Sequence, residues 1–105
     1  MNTCQWPKDN ESFVEFDIYD LNTTWNRVAG VYIFTYFNGQ NWFPLYVGQT
    51  DNFADRIPNH ERMKEALHNG MTNIHARVVP HASDRLELEQ TLIQYLQPEM
   101  NVQLR

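Results

Sequence analysis

The sequence of 105 residues contains a single cysteine and no long apolar run. Cys4 cannot form an internal disulfide, and no cysteine pair is available for a zinc site. No stretch reaches the roughly 18 consecutive apolar residues that a transmembrane helix needs, and the first residues lack the basic and apolar segments of a secretory signal. The length of 105 residues predicts one domain, and these absences predict the reducing cytoplasm and no membrane partner.

Basic residues are scarce as well. The chain has 8 Lys and Arg against 13 Asp and Glu, a net charge of -5. Residues 1–27 carry -3 of this charge and residues 28–105 carry -2. A protein of this composition does not coat nucleic acid by bulk electrostatics, so any nucleic-acid role must rest on a local site.

The strand signals lie in the first half of the chain and once more after residue 70. Residues 1–12 are polar and read as a loop, whereas Phe13–Tyr19 alternates with the period of a half-buried strand. Two β-rich runs, 29–37 and 42–49, flank Asn38-Gly39, a strong hairpin signal. A further strand is predicted over 73–79, where β-branched residues recur.

Helix signals fill the remaining segments. Residues 53–57 form a short predicted helix before Pro58, residues 61–68 a second before Asn69-Gly70, and residues 84–97 a third before Pro98. The fold class is therefore α+β: a small single-domain sandwich in which helices flank a central antiparallel three-stranded sheet, in the order β-β-α-α-β-α. An extra N-terminal strand belongs to an extension over residues 1–27, and residues 28–105 form the main domain.

A carboxylate occupies an unexpected place on the last helix. With about 3.6 residues per turn, Glu89 falls between Leu96 and Ile93 on the apolar arc. A carboxylate there is costly unless it is paired or bound to a metal. One interpretation is a residue at the core edge in an ion pair with Arg56 or Arg77. The other is a metal ligand or a general base that faces a cleft.

Two short motifs on the hairpin strands carry a family resemblance. Gly30-Val31-Tyr32 and Tyr46-Val47-Gly48 resemble the paired signature of the GIY-YIG nuclease family. Arg56 follows in the next helix, where the family keeps an arginine, and His60 lies at the fourth place after it, as in the family's homing endonucleases. Glu89 stands at the position of the family's metal-binding glutamate.

The C-terminal segment extends this resemblance. The run 97–102 resembles the family's closing segment, which ends in an asparagine that is Asn101 here. The tail 101–105 is similar to that of the nuclease domain of bacterial excision-repair incision subunits. The resemblance covers roughly residues 28–103 and identifies residues 28–105 as a GIY-YIG-like nuclease domain.

The resemblance implies a Mg²⁺- or Mn²⁺-dependent DNA endonuclease that hydrolyses phosphodiester bonds. Glu89 would hold the metal, Arg56 the scissile phosphate, and Tyr46 would help to position water or phosphate. Either Tyr32 or His60 would act as the general base. Gly30, Gly48 and Asn101 would support the site structurally.

Two functions remain open at this point. The set of Tyr32, Tyr46, Arg56 and Glu89 favours a compact stand-alone endonuclease, with a homodimer or a larger assembly supplying DNA affinity. The net charge of -5 favours a non-catalytic protein-binding or regulatory module on the same scaffold.

The register of the hairpin provides a geometric condition. A two-residue turn at Asn38-Gly39 would place Tyr32 and Tyr46 on opposite faces of the sheet. The shared site therefore requires a loop of three or five residues or a bulge near Pro44.

Overall fold

A five-stranded antiparallel sheet forms the centre of the protein, which a computed structural model describes over residues 2–102. The strands follow the order β1-β2-β5-β3-β4 across the sheet. Residues 103–105, the end of the tail 101–105 that carries part of the resemblance, lie outside the described residues. The strands are β1 (Thr3–Pro7), β2 (Phe13–Tyr19), β3 (Gly30–Phe37), β4 (Trp42–Thr50) and β5 (Asn73–Val78).

Helices connect and cover these strands. Among residues 2–102, no helix is long and apolar enough to cross a membrane. The two short helices, α1 and α2, lie between β4 and β5, and the long helix α3 follows β5. The helices are α1 (Phe53–Arg56), α2 (Met63–His68), α3 (Ala82–Leu96) and α4 (Glu99–Val102).

The α+β class is confirmed, but the prediction of a three-stranded central sheet is wrong. β2 pairs with β5 through Asp17–Tyr19, so the N-terminal strands continue the same sheet. β1 lies in the segment predicted as a loop, so that prediction is wrong; exposed Thr3 and Gln5 alternate with the more buried Cys4 and Trp6. β1 forms because its backbone pairs along β2 and because Trp6 is buried against the core. Four alternating residues followed by a proline are a weak strand signal in a sequence.

The sheet buries apolar side chains on both faces. The first face carries Tyr32 and Phe34 beneath α1, α2 and α4, and the second face carries Val31 and Ile33 beneath α3. Because side chains alternate along β3, this one strand contributes to both cores. The first core includes Phe53, Ile57, Ala66, Met71, Ile74, Ala76 and Met100, and the second includes Trp6, Phe16, Val47 and Leu92.

A bulge interrupts the pairing of β3 with β4. Phe34 lies opposite Tyr46, but the next residue, Thr35, lies opposite Pro44. Leu45 is therefore an additional residue on β4, and the predicted bulge near Pro44 is confirmed. Without it, the loop over residues 38–41 would send the side chain of Tyr46 to the second face. With it, Tyr46 lies on the first face together with Tyr32.

The side chain of Asn101 attaches α4 to the edge strand β4. Its Oδ1 accepts a hydrogen bond of 2.7 Å from the backbone N–H of Val47, and its Nδ2 donates to the Val47 carbonyl at 3.0 Å. The carboxamide thus takes the place of a neighbouring strand at the residue next to Tyr46. The predicted supporting position of Asn101 coincides with this contact.

Replacing Asn101 by alanine leaves the two backbone groups of Val47 without these partners. We expect Asn101→Ala to lower the free energy of unfolding by about 2 kcal/mol, the scale for part-buried polar groups that lose their hydrogen bonds. Urea denaturation followed by circular dichroism measures the change. The control is Asn59→Ala, which removes one exposed hydrogen bond to the carbonyl of Asp55. Equal losses in both variants would contradict the anchoring role.

Candidate active site

Two tyrosines and a histidine form an aromatic group on the first face of the sheet. Tyr32 is 1% exposed and Tyr46 is half-buried, and their ring centroids are 6.4 Å apart. The ring of His60 stands edge-on to both, at 5.7 Å from Tyr32 and 5.2 Å from Tyr46. Strands β3 and β4 supply the tyrosines, and the turn between α1 and α2 supplies the histidine.

Gly48 leaves the space that the phenol of Tyr32 occupies. These residues are cross-strand partners, and a Cβ at Gly48 would overlap the phenolic oxygen and Cζ of Tyr32. Gly30 has a comparable function at the start of β3, where a Cβ would overlap the carbonyl of Arg77 and the ring of Phe53. The two motif glycines therefore allow close approach of a side chain in one case and of a strand and a helix in the other.

The hydrogen bonds of His60 determine its tautomer. Nδ1 accepts the backbone N–H of Arg62 at 3.1 Å, so the neutral ring carries its proton on Nε2. Nε2 lies 2.9 Å from the phenolic oxygen of Tyr32 and donates to it. Burial, with a smaller effect of Arg56, lowers the pKa of His60 to about 4. The imidazole is thus neutral near pH 7, and neither of its nitrogens has a free lone pair.

Both phenols are held in the protonated form. Burial is the main cause of the raised pKa of Tyr32, and the nearby guanidinium of Arg56 opposes it. Burial also raises the pKa of Tyr46, which Arg56 lowers and the charge of Glu89 raises. Arg56 is therefore the cation that favours the phenolate at either tyrosine most strongly.

Arg56 ends helix α1 and forms a bidentate ion pair. Its two terminal nitrogens donate to the carboxylate of Glu61 at 2.7 and 2.9 Å, and this pairing lowers the pKa of Glu61 to about 2. Asn52 positions the helix, because its side chain accepts the first free backbone N–H groups. Sequence analysis missed Glu61, since residues five apart are not neighbours on a helix and the turn after Pro58 brings them together.

Arg62 is a second site residue that sequence analysis missed. Its guanidinium carbon lies 5.6 Å from the ring centroid of Tyr46, within the range of a cation–π interaction. It also donates to the carbonyl of Met100 at 2.9 Å and pairs with Glu65. Arg62 thereby joins α2 to α4 across the open side of Tyr46. No sequence signal distinguished it from an ordinary surface arginine.

Glu89 is half-buried on α3 and has no ion pair or hydrogen bond within residues 2–102. Arg56 is paired with Glu61, and Arg77 donates instead to the carbonyl of Glu15 at 3.0 Å. The interpretation of Glu89 as an ion-paired residue at the core edge is therefore wrong. Desolvation raises its pKa, as expected for a carboxylate without a compensating partner.

A buried arginine fixes the start of the helix that carries Glu89. Arg85 is 7% exposed and donates to the side chain of Gln49 at 3.2 Å. It also donates to the carbonyls of Val79 and Pro80 at 3.2 and 2.8 Å. These bonds join α3 to the end of β4 and to the preceding loop, one helical turn before Glu89. Sequence analysis did not single out this contact.

Comparison with solved structures gives the fold its name. The GIY-YIG N-terminal endonuclease domain of UvrC from Thermotoga maritima, bound to magnesium, superimposes with a TM-score of 0.59 at 22% identity, covering 71% of this chain and 84% of that one. This chain has the GIY-YIG fold. A point mutant of the same UvrC domain, bound to its catalytic divalent cation, gives a TM-score of 0.58 at 24% identity and covers 71% and 83%.

The resemblance to the GIY-YIG family predicted from the two hairpin motifs is confirmed at the level of the fold. No family sequence model and no curated protein sequence matches the chain. In this GIY-YIG fold, the bulge at Leu45 brings the tyrosines of the two motifs onto one face.

The buried histidines predict a loss of stability in acid. His75 on β5 is fully buried, accepts the indole N–H of Trp6 at 2.9 Å, and has its pKa lowered by burial to about 4, like His60. Between pH 6.5 and 4 the unfolded chain binds protons that the folded chain does not. The free energy of unfolding should therefore fall across this window, by up to about 3 kcal/mol for each histidine.

Urea denaturation at several pH values measures this dependence. His75→Gln keeps an acceptor for Trp6 and removes one titrating group, so its pH dependence should be shallower. The control His81→Gln changes an exposed histidine and should follow the original protein. Identical slopes for His75→Gln and the original protein would contradict the role of His75.

Proposed function

We propose that this protein is a divalent-metal-dependent endonuclease that hydrolyses phosphodiester bonds in DNA, with residues 28–105 as the nuclease domain. Its catalytic residues in this proposal are Tyr32, Tyr46, Arg56, His60 and Glu89. The observation that carries the proposal is the state of Glu89. A half-buried carboxylate without a partner among the described residues is unfavourable by itself, and a bound cation would compensate it.

The carboxylate of Glu89 by itself fits a magnesium or manganese ion better than it fits zinc. Mg²⁺ commonly binds one or two carboxylates and completes its coordination with water and substrate phosphate. Residues 2–102 contain no group of three or more His, Cys, Asp or Glu side chains that could hold a metal. Zinc sites in proteins use three or four protein ligands, so a single carboxylate does not suit zinc. When bound, the metal would stabilise charge on the phosphate and lower the pKa of a bound water.

The remaining residues supply positioning and charge in this proposal. The planar guanidinium of Arg56 binds two oxygens of the scissile phosphate. In this proposal the phenol of Tyr32 first loses its proton to solvent, which the charge of Arg56 favours, and the phenolate then orients the attacking water and accepts its proton. His60 holds the Tyr32 oxygen as a donor through Nε2, so between the two we assign the general base to Tyr32. Tyr46 contacts water or phosphate from β4.

Plasmid nicking tests this proposal. We expect nicking with Mg²⁺ or Mn²⁺ and none with a chelator. Glu89→Gln should lower the nicking rate by at least about 10²-fold, because the only protein ligand in the proposal is lost. Its melting temperature should be unchanged or higher, since the substitution removes an uncompensated charge. The matched control, Glu87→Gln, removes an exposed carboxylate from the same helix and should nick normally.

Two results would contradict the proposal. One is cleavage that persists undiminished in Glu89→Gln, and the other is a lower melting temperature of this variant with activity retained. If the original protein binds a partner protein but nicks no DNA with either metal, the non-catalytic module is the better account.

A single active site limits how both strands of a DNA duplex can be cut. One such site cuts one strand at a time, so double-strand cleavage requires two copies or two encounters. We propose that a homodimer or a larger assembly supplies DNA affinity, because the chain carries a net charge of -5.

Glu61 acts as an internal competitor of the substrate phosphate in this scheme. Its carboxylate occupies both terminal nitrogens of Arg56, which are the donors that a phosphate would need. The Glu61 side chain is 62% exposed and is free to move into solvent. Substrate binding therefore exchanges one anion for another at Arg56, and the ion pair weakens binding by its own free energy.

Glu61→Gln should lower KM for DNA by about fivefold, because an exposed ion pair contributes about 1 kcal/mol. We expect kcat to change little, and steady-state nicking kinetics measure both. The control Glu65→Gln removes the same charge from the neighbouring ion pair with Arg62. A fall in kcat at constant KM would instead identify Glu61 as a residue that positions Arg56.

A further inference from the structure

An exposed aromatic pair continues the row of site tyrosines toward the end of the hairpin. Tyr36 and Phe43 are cross-strand partners with ring centroids 5.9 Å apart and planes inclined by 27°. They are 37% and 43% exposed, although they are large and largely apolar. Tyr36 lies on the same face of β3 as Tyr32, four residues farther along, which corresponds to about 13 Å.

The hairpin that carries this pair is uncharged. Residues 28–50 contain no Asp, Glu, Lys, Arg or His, although the chain as a whole has a net charge of -5. A polyanion therefore meets neither repulsion from this hairpin nor attraction to it. The exposed loop at its end offers the amide side chains of Gln40 and Asn41. Exposed π-faces with neutral amides suit nucleobases better than phosphates.

We infer that Tyr36 and Phe43 form a stacking surface for unpaired nucleobases next to the cleavage site, so that the preferred substrate is DNA with unstacked nucleotides rather than an intact duplex. This inference rests on the proposed nuclease function, under which a DNA strand lies on this face of the sheet.

Two physical considerations select this ligand. A paired duplex hides the faces of its bases, so side chains without charge gain little from it, whereas an unpaired base offers its whole π-face. Stacking is also tolerant of sequence and depends little on salt, unlike contacts with phosphate. A chain with 8 basic residues against 13 acidic ones therefore gains more affinity from bases than from the backbone.

Binding in the presence of a chelator tests the inference without cleavage. Fluorescence anisotropy compares a gapped DNA that contains unpaired nucleotides with a fully paired duplex of the same sequence. The gapped DNA should bind more tightly, and 2-aminopurine in the gap should be quenched by stacking. Phe43→Leu keeps an apolar side chain without the π-face and should raise Kd for the gapped DNA at least about fivefold. Kd for the duplex should not change.

Phe13→Leu is the matched control, because Phe13 is 61% exposed on β2, away from the hairpin. It should leave both values of Kd unchanged. Equal Kd values of Phe43→Leu and the original protein for the gapped DNA would overturn the inference. A change in sedimentation of Phe43→Leu without a change in DNA binding would also overturn it, and would identify a self-association surface.

The outcome is separable from that of the proposed function. If Phe43→Leu weakens binding to gapped DNA but the original protein nicks nothing, the stacking surface stands and the nuclease proposal fails. If the original protein nicks DNA, and Phe43→Leu binds and nicks DNA like the original protein, only the stacking inference fails.

Discussion

The register of the β3–β4 hairpin determines the geometry of the site. Side chains alternate between the faces of a sheet, so a shift of one residue reverses every side chain beyond it. The additional residue Leu45 introduces that shift between Pro44 and Tyr46, and the tyrosines of both strands then share one face. Gly48 completes the arrangement, because the phenol of Tyr32 occupies the space above its Cα. The contacts of His60 and Arg56 with Tyr32 presuppose this register.

Burial favours the neutral form of the two tyrosines, the histidine and the glutamate of this site. It holds Tyr32 and Tyr46 as phenols, His60 as a neutral imidazole, and it raises the pKa of Glu89. The charges that remain near the tyrosines belong mainly to arginines and their carboxylate partners. Because few of the site's own groups are charged, the charges of a bound substrate would dominate the electrostatic interactions there.

Sequence patterns predicted the elements in which side chains decide the structure. The alternation of Phe13–Tyr19, the β-rich runs of the hairpin and the amphipathic pattern of α3 were visible in the sequence, and all three are present at nearly the predicted bounds. The helical periodicity of α3 also indicated that the carboxylate of Glu89 lies on the apolar side of the helix, where a charge is unfavourable. β1 escaped prediction because its alternation covers only four residues before Pro7, and its pairing depends on a partner strand that the local sequence does not reveal.

The contacts of the site were less predictable than its residues. Glu61 and Arg62 reach Arg56 and Tyr46 only because the chain turns sharply after Pro58. Arg85 gave no signal, since a buried arginine that binds carbonyl groups looks like a surface arginine in a sequence. Local patterns therefore located the side chains that matter, and tertiary structure determined which partners they have.

The contact between Asn101 and Val47 also bears on the colloidal behaviour of the protein. β4 is an outer strand of the sheet, and outer strands offer free backbone groups with which a second chain can pair. The carboxamide of Asn101 occupies both backbone groups at Val47. At the opposite edge, β1 ends in Pro7, which has no N–H to donate. At each edge of the sheet, a single residue therefore removes backbone groups with which a second chain could pair.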